Sequence, residues 1–158
     1  MLKFVYAIFL SLLLTLFVGV GISTFYKSPQ PPESKAFERF DPNRTELTES
    51  DKEVEEKYQA EFKQFQEDLG VYNRNVSIIS MVFATLFLLI GLTFASKTEI
   101  LGDGLVLGGA LILVYSIMRG MMSDDQNYRF IVVTASLVAA LVFGYIKFSH
   151  KSDTQSAR

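Results

Sequence analysis

The sequence predicts an all-α fold, a four-helix transmembrane bundle with an extramembrane helix between the first and second spans. Four apolar runs, at about residues 2–22, 76–95, 100–120 and 130–148, each meet or nearly meet the roughly 20 residues a helix needs to cross a hydrocarbon core about 30 Å thick. The runs are continuous rather than alternating, and a chain inside a bilayer must satisfy its own backbone, so helices and not barrel strands are expected. Between the first and second runs, a stretch containing prolines gives way to a periodic, charged one.

Residues 1–25 form the first element. Lys3 precedes the apolar stretch and Gly21, Ile22 and Ser23 end it, a layout shared with secretory signals. The apolar core exceeds the about 7–15 residues of a signal h-region, and no small-x-small cleavage site follows, so a first membrane helix is expected. Ser11, Thr15 and Gly19 offer it a small-residue face.

Residues 26–49 read as an extended linker, because Pro29, Pro31, Pro32 and Pro42 lack a backbone donor and disfavour helix before them. A helix is expected over 50–72. Ser50 with Glu53 gives a capping-box signature, and Asp51, Glu53, Glu55 and Glu56 suit the positive end of a helix dipole. Tyr58, Phe62, Phe65, Leu69 and Tyr72 then recur at spacings of four and three and lead on to Val76, an apolar stripe on one face. Gly70 is the weak point, costing about 1 kcal/mol against Ala in a helix interior, so the segment is either continuous with the second span or joined to it by a bend. Such a stripe needs cover from the linker, the protein's own membrane face, a second copy or a different protein, and it is the candidate partner-binding surface. Lying flat on lipid is disfavoured by its acidic polar face.

Residues 73–148 hold the other three spans, joined by a tight hairpin at 96–99 and a polar turn at 121–128. Each carries small residues that let helix backbones approach closely. The second has Ser77, Ser80, Ala84, Gly91 and Ala95, and the third has Gly104 and Gly108 in a GxxxG pattern beside Gly109, Ser116 and Gly120. The fourth has Ala135, Ala139, Ala140 and Gly144. These are expected to pack helices within the bundle or, failing that, between copies or against a partner's helix.

Ionisable residues in spans are functional candidates by default. Asp103 lies deepest, as a possible ion or pairing site, with Lys97 or Lys147 as its expected partner, while Arg119 closes the other end of the third span, too far along to reach it. Residues 149–158 form a polar C-terminal tail.

Composition removes several classes of function. The 158 residues are 49% hydrophobic with a net charge of −2 and contain no cysteine, which excludes disulfides, thiol catalysis and Cys-ligated metals. Tryptophan is also absent, leaving Tyr and Phe to form any interfacial belt. His150 has no second ligand near it, so no metal site is expected. The glycines at 102, 104, 108 and 109 have the wrong spacing and setting for a dinucleotide loop. Asn43-Arg44-Thr45 and Asn75-Val76-Ser77 match the glycosylation acceptor pattern, the second too close to the membrane for use. No basic patch interleaved with aromatics points to nucleic acid.

These readings lead to no catalytic residue and no cofactor. They favour a non-enzymatic multi-pass membrane protein with a structural, scaffolding or accessory-subunit role. Its expected partners are the lipid bilayer and a membrane protein or further copies of itself. The alternative is a small oligomeric channel or transporter that uses Asp103, Tyr115 and Arg119 at the Gly-rich third span. Weighting Lys3, Lys97 and Lys147 near span ends places both termini in the cytoplasm, with the cytoplasmic membrane of a prokaryote as the expected location.

Overall fold

A computed structural model describes residues 2–32, 49–95 and 98–155. Within them the regular structure is entirely helical: α1 Leu2–Phe25, α2 Glu49–Ala95, α3 Glu99–Met121 and α4 Gln126–Gln155. All four helices contain a stretch long and apolar enough to cross a membrane, the architecture of a multi-pass membrane protein.

The chain runs up and down, with α3 in the centre. It packs most extensively on α2 and then on α1, whereas α4 lies at the periphery. Helices α1 and α3 run parallel: Leu10 sits against Gly104 and Leu14 against Gly108. Helices α2 and α3 run antiparallel, with Gly91 against Val106, Leu88 against Gly109 and Ser77 near Gly120. The core gathers where α1, α2 and α3 meet, from Val18 and Ile22 through Tyr72, Val76, Ala84 and Leu88 to Ile112 and Leu113.

The helix expected over 50–72 is not an element of its own. It is the N-terminal part of α2, which continues for 47 residues to Ala95. Nothing between Glu49 and the span removes a backbone donor, and Gly70 has a packing reason. A Cβ at Gly70 would stand 3.1 Å from the Asp124 Cβ and 3.2 Å from its backbone nitrogen, so the missing side chain admits the α3–α4 turn. The glycine that reads as a bend marks a close approach along one helix.

That turn is shorter than expected, covering only 122–125. The Asp125 Oδ1 accepts the backbone N–H groups of Asn127 (2.9 Å) and Tyr128 (3.3 Å), which satisfies donors left open at the start of α4. At its far end α4 continues to Gln155, so the first part of the expected polar tail is helical. Of the expected linker, residues 26–32 are non-helical. The remainder of the linker, the Asn43 acceptor pattern and Lys97 lie outside the described residues.

Candidate functional site

The polar chemistry of the described residues concentrates where α1 ends, α2 enters the bundle, α3 ends and α4 begins. Arg119 is at its centre. Tyr115 and Arg119 are one helical turn apart on α3, and the Arg119 Nε donates to the Tyr115 hydroxyl at 3.1 Å. The Nη1 donates to Oδ1 of Asn73 on α2 at 2.9 Å. The guanidinium carbon also lies 5.9 Å from the Tyr72 ring centroid and 5.5 Å from that of Tyr115, within the range of cation–π attraction. Tyr72 in turn stacks on Tyr26 with centroids 5.1 Å apart and planes inclined by 3°. The Tyr26 hydroxyl accepts from the Asn75 side chain at 2.8 Å. Neutral oxygens and ring faces thus hold the charge, with no carboxylate in contact among the described residues.

One turn deeper, Ser77 on α2 and Ser116 on α3 clamp the helices together. Each hydroxyl donates to the other residue's backbone carbonyl at 2.8 Å, and both side chains are fully buried. Only close-packed backbones permit such reciprocal bonds, and the glycines at 91, 109 and 120 maintain that approach.

Asp103 occupies the opposite end of α3. Its carboxylate pairs with the Lys147 ammonium of α4 at 2.7 Å, the Asp103 side chain being 47% exposed. A pair that open contributes about 0–1 kcal/mol. Asp103→Asn is therefore expected to shift thermal unfolding of the solubilised protein by no more than about 4 °C. A larger drop would make the pair a structural strut.

The candidate partner-binding residues fall into two groups. Tyr58, Phe62 and Phe65 form a ladder along α2, with centroids 6.0 and 6.1 Å apart, and Phe62 is exposed. Pro29, Gln30 and Pro32 lie alongside Phe65. Leu69 packs on the core, and Tyr72 is buried beneath Tyr26 and Arg119, so neither extends the exposed surface.

The small residues expected to pack helices divide in the same way. Gly91, Gly104, Gly108 and Gly109 are buried against neighbouring helices, and Ala84 is fully buried. Ala139 packs on the core and Ala135 lines a groove between α2 and α4. Gly144 and Gly19 have no neighbour within 4 Å of a would-be Cβ. The inward rows of their helices run through Val132, Ser136, Ala139, Phe143 and Lys147 on α4, and through Ala7, Ser11, Leu14, Val18 and Ile22 on α1. Gly144 and Gly19 are each one residue past a member of those rows.

In the sequence Tyr72 and Arg119 belong to separate sets of candidates, Tyr26 stands out only as a belt residue near a span end, and nothing marks Asn73. The Tyr115–Arg119 spacing is the only local signal of the cluster; its other partners come from distant segments. The chain matches no family model, and no curated protein or solved structure matches it.

Proposed function

We propose that this chain is a non-enzymatic accessory subunit of a membrane assembly, presenting the polar half of α2 to a membrane-protein partner. The observation that carries the reading is the Tyr58–Phe62–Phe65 ladder on the same uninterrupted helix as the buried Ser77–Ser116 clamp. At 1.5 Å per residue, the 47 residues of α2 extend about 70 Å, more than twice the hydrocarbon thickness. Its N-terminal half is rich in Glu, Asp and Lys, which are costly in lipid, so that half projects into water. With both termini cytoplasmic it stands on the far side of a prokaryotic cytoplasmic membrane. An uninterrupted helix anchored in a packed bundle holds its aromatic side chains away from the bundle, which suits docking.

The reading is tested with Phe62→Asp combined with Phe65→Asp in the full chain. The variant is expected to insert normally and to lose stoichiometric co-purification of its membrane partner after gentle solubilisation. Unchanged native mass and unchanged co-purifying proteins would overturn it. A path along the Gly-rich third span gains less support, because Leu10, Leu14 and Leu88 occupy the faces of Gly104, Gly108 and Gly109.

A further inference from the structure

The peripheral position of α4 leaves an apolar groove of about 430 Å³ between it and α2. Ile78, Met81, Val82 and Thr85 line one wall, and Ile131 and Ala135 the other. Tyr128 closes one end, its hydroxyl donating to the backbone carbonyl of Arg74 at 3.1 Å. Arg74 stands at that end by register: Ile78 and Val82 follow it at intervals of four, and Met81 and Thr85 complete the same face.

The Arg74 side chain is half-buried and makes no ion pair or hydrogen bond among the described residues. Its helical neighbours one turn away are Gly70, Val71, Ser77 and Ile78, none of them acidic. The nearby Asp124, which approaches Gly70, forms no ion pair with it among the described residues. This leaves an available guanidinium beside the headgroup level, above an apolar channel.

We infer that this groove binds one anionic glycerophospholipid, with an acyl chain between α2 and α4 and the phosphate on the Arg74 guanidinium. Charge complementarity selects the head, since guanidinium binds phosphate oxygens in a paired geometry and is more weakly hydrated than ammonium. Length selects the tail. From Arg74 to Leu86, the deepest lining residue of α2, is about 18 Å at helical rise, close to one leaflet of a hydrocarbon core about 30 Å thick. A partner's transmembrane helix needs a seam across both leaflets, but lower down Ala139 and Phe143 close α4 onto the core.

The test is native mass spectrometry of the full detergent-solubilised chain titrated with phosphatidylglycerol, phosphatidylcholine or inorganic phosphate. One phosphatidylglycerol per chain is expected, binding at least tenfold tighter than phosphatidylcholine, with no competition from millimolar inorganic phosphate. Arg74→Gln should remove that tenfold preference, and Ala135→Phe, which fills the groove, should weaken both lipids. Lys3→Gln makes the same charge change near the opposite end and should alter neither.

Equal binding of both lipids to the unaltered chain, or an unchanged preference in Arg74→Gln, would overturn the inference. So would a dimer that Ala135→Phe separates, because a second copy would then occupy the groove, and so would displacement of the lipid by inorganic phosphate. The readout is lipid mass per chain, so it stands apart from partner capture by the α2 ladder.

Discussion

Gly109→Leu is expected to lower the stability of the solubilised protein by about 3 kcal/mol, whereas Gly144→Leu should leave it unchanged or raise it by up to about 1 kcal/mol. Both replace glycine in an apolar helix by the same side chain, and both gain up to about 1 kcal/mol of helix propensity. They differ in what the new atoms meet. At Gly109 even a Cβ would come within 2.8 Å of the Leu88 Cγ and 3.0 Å of the Ala84 backbone oxygen. The neighbour is partly main chain and cannot rotate aside, so α2 and α3 must separate. Separation would also lengthen the reciprocal Ser77–Ser116 bonds, adding about 0.6 kcal/mol for each interhelical hydrogen bond lost in a membrane protein. At Gly144 nothing lies within 4 Å. Chemical or steric-trap unfolding of the two variants side by side measures the difference; equal stabilities would mean that α2 and α3 are not held by this contact.

Arg119→Met is expected to cost about 2 kcal/mol. It keeps much of the side-chain length but leaves Oδ1 of Asn73 and the hydroxyl of Tyr115 without the donor each now has. An acceptor buried like Asn73 or half-buried like Tyr115 that loses a charged donor forfeits about 1–3 kcal/mol, and the attraction to the Tyr72 and Tyr115 rings is lost with it. Arg119→Lys should recover less than half of the loss, because a point ammonium lacks the planar fork that reaches Tyr115 and Asn73 at once. With no Trp in the chain, the near-ultraviolet circular dichroism comes from tyrosine and phenylalanine, and three of the seven tyrosines, Tyr26, Tyr72 and Tyr115, belong to this cluster. The variant should lose part of that signal before the helices melt. A variant with wild-type melting and an unchanged tyrosine spectrum would show that Asn73 and the tyrosines hold their places without the charge.

The number of spans and the all-helical class were legible in the sequence, because each depends only on the length and apolarity of a contiguous run. The periodicity from Tyr58 to Val76 likewise marked one helical face, since the alternation of charged and aromatic residues there is local. Topology also brought Lys147 to the level of Asp103 and so made it one of two expected partners, with Lys97; the structure pairs Asp103 with Lys147.

Tertiary structure decided the rest. Whether α2 breaks at Gly70 turned on a balance of about 1 kcal/mol; the helix runs on without a break, and Gly70 makes room for Asp124 from far along the chain. Within a span, apolar residues surround the helix on every side, so hydrophobic period cannot say which small residues face protein and which face lipid. Gly104 and Gly108 met α1, Gly91 of α2 met α3 and Gly109 of α3 met α2 across their shared seam, and Gly19 and Gly144 met nothing within 4 Å. The Arg119 cluster assembles side chains from α2 and α3, with Tyr26 stacked behind Tyr72. The sequence by itself determined how many helices are long and apolar enough to cross a membrane, because that is a property of short stretches. The packing of α3 between α1 and α2 decided which of its residues are buried and which polar groups find one another, because those contacts join distant parts of the chain.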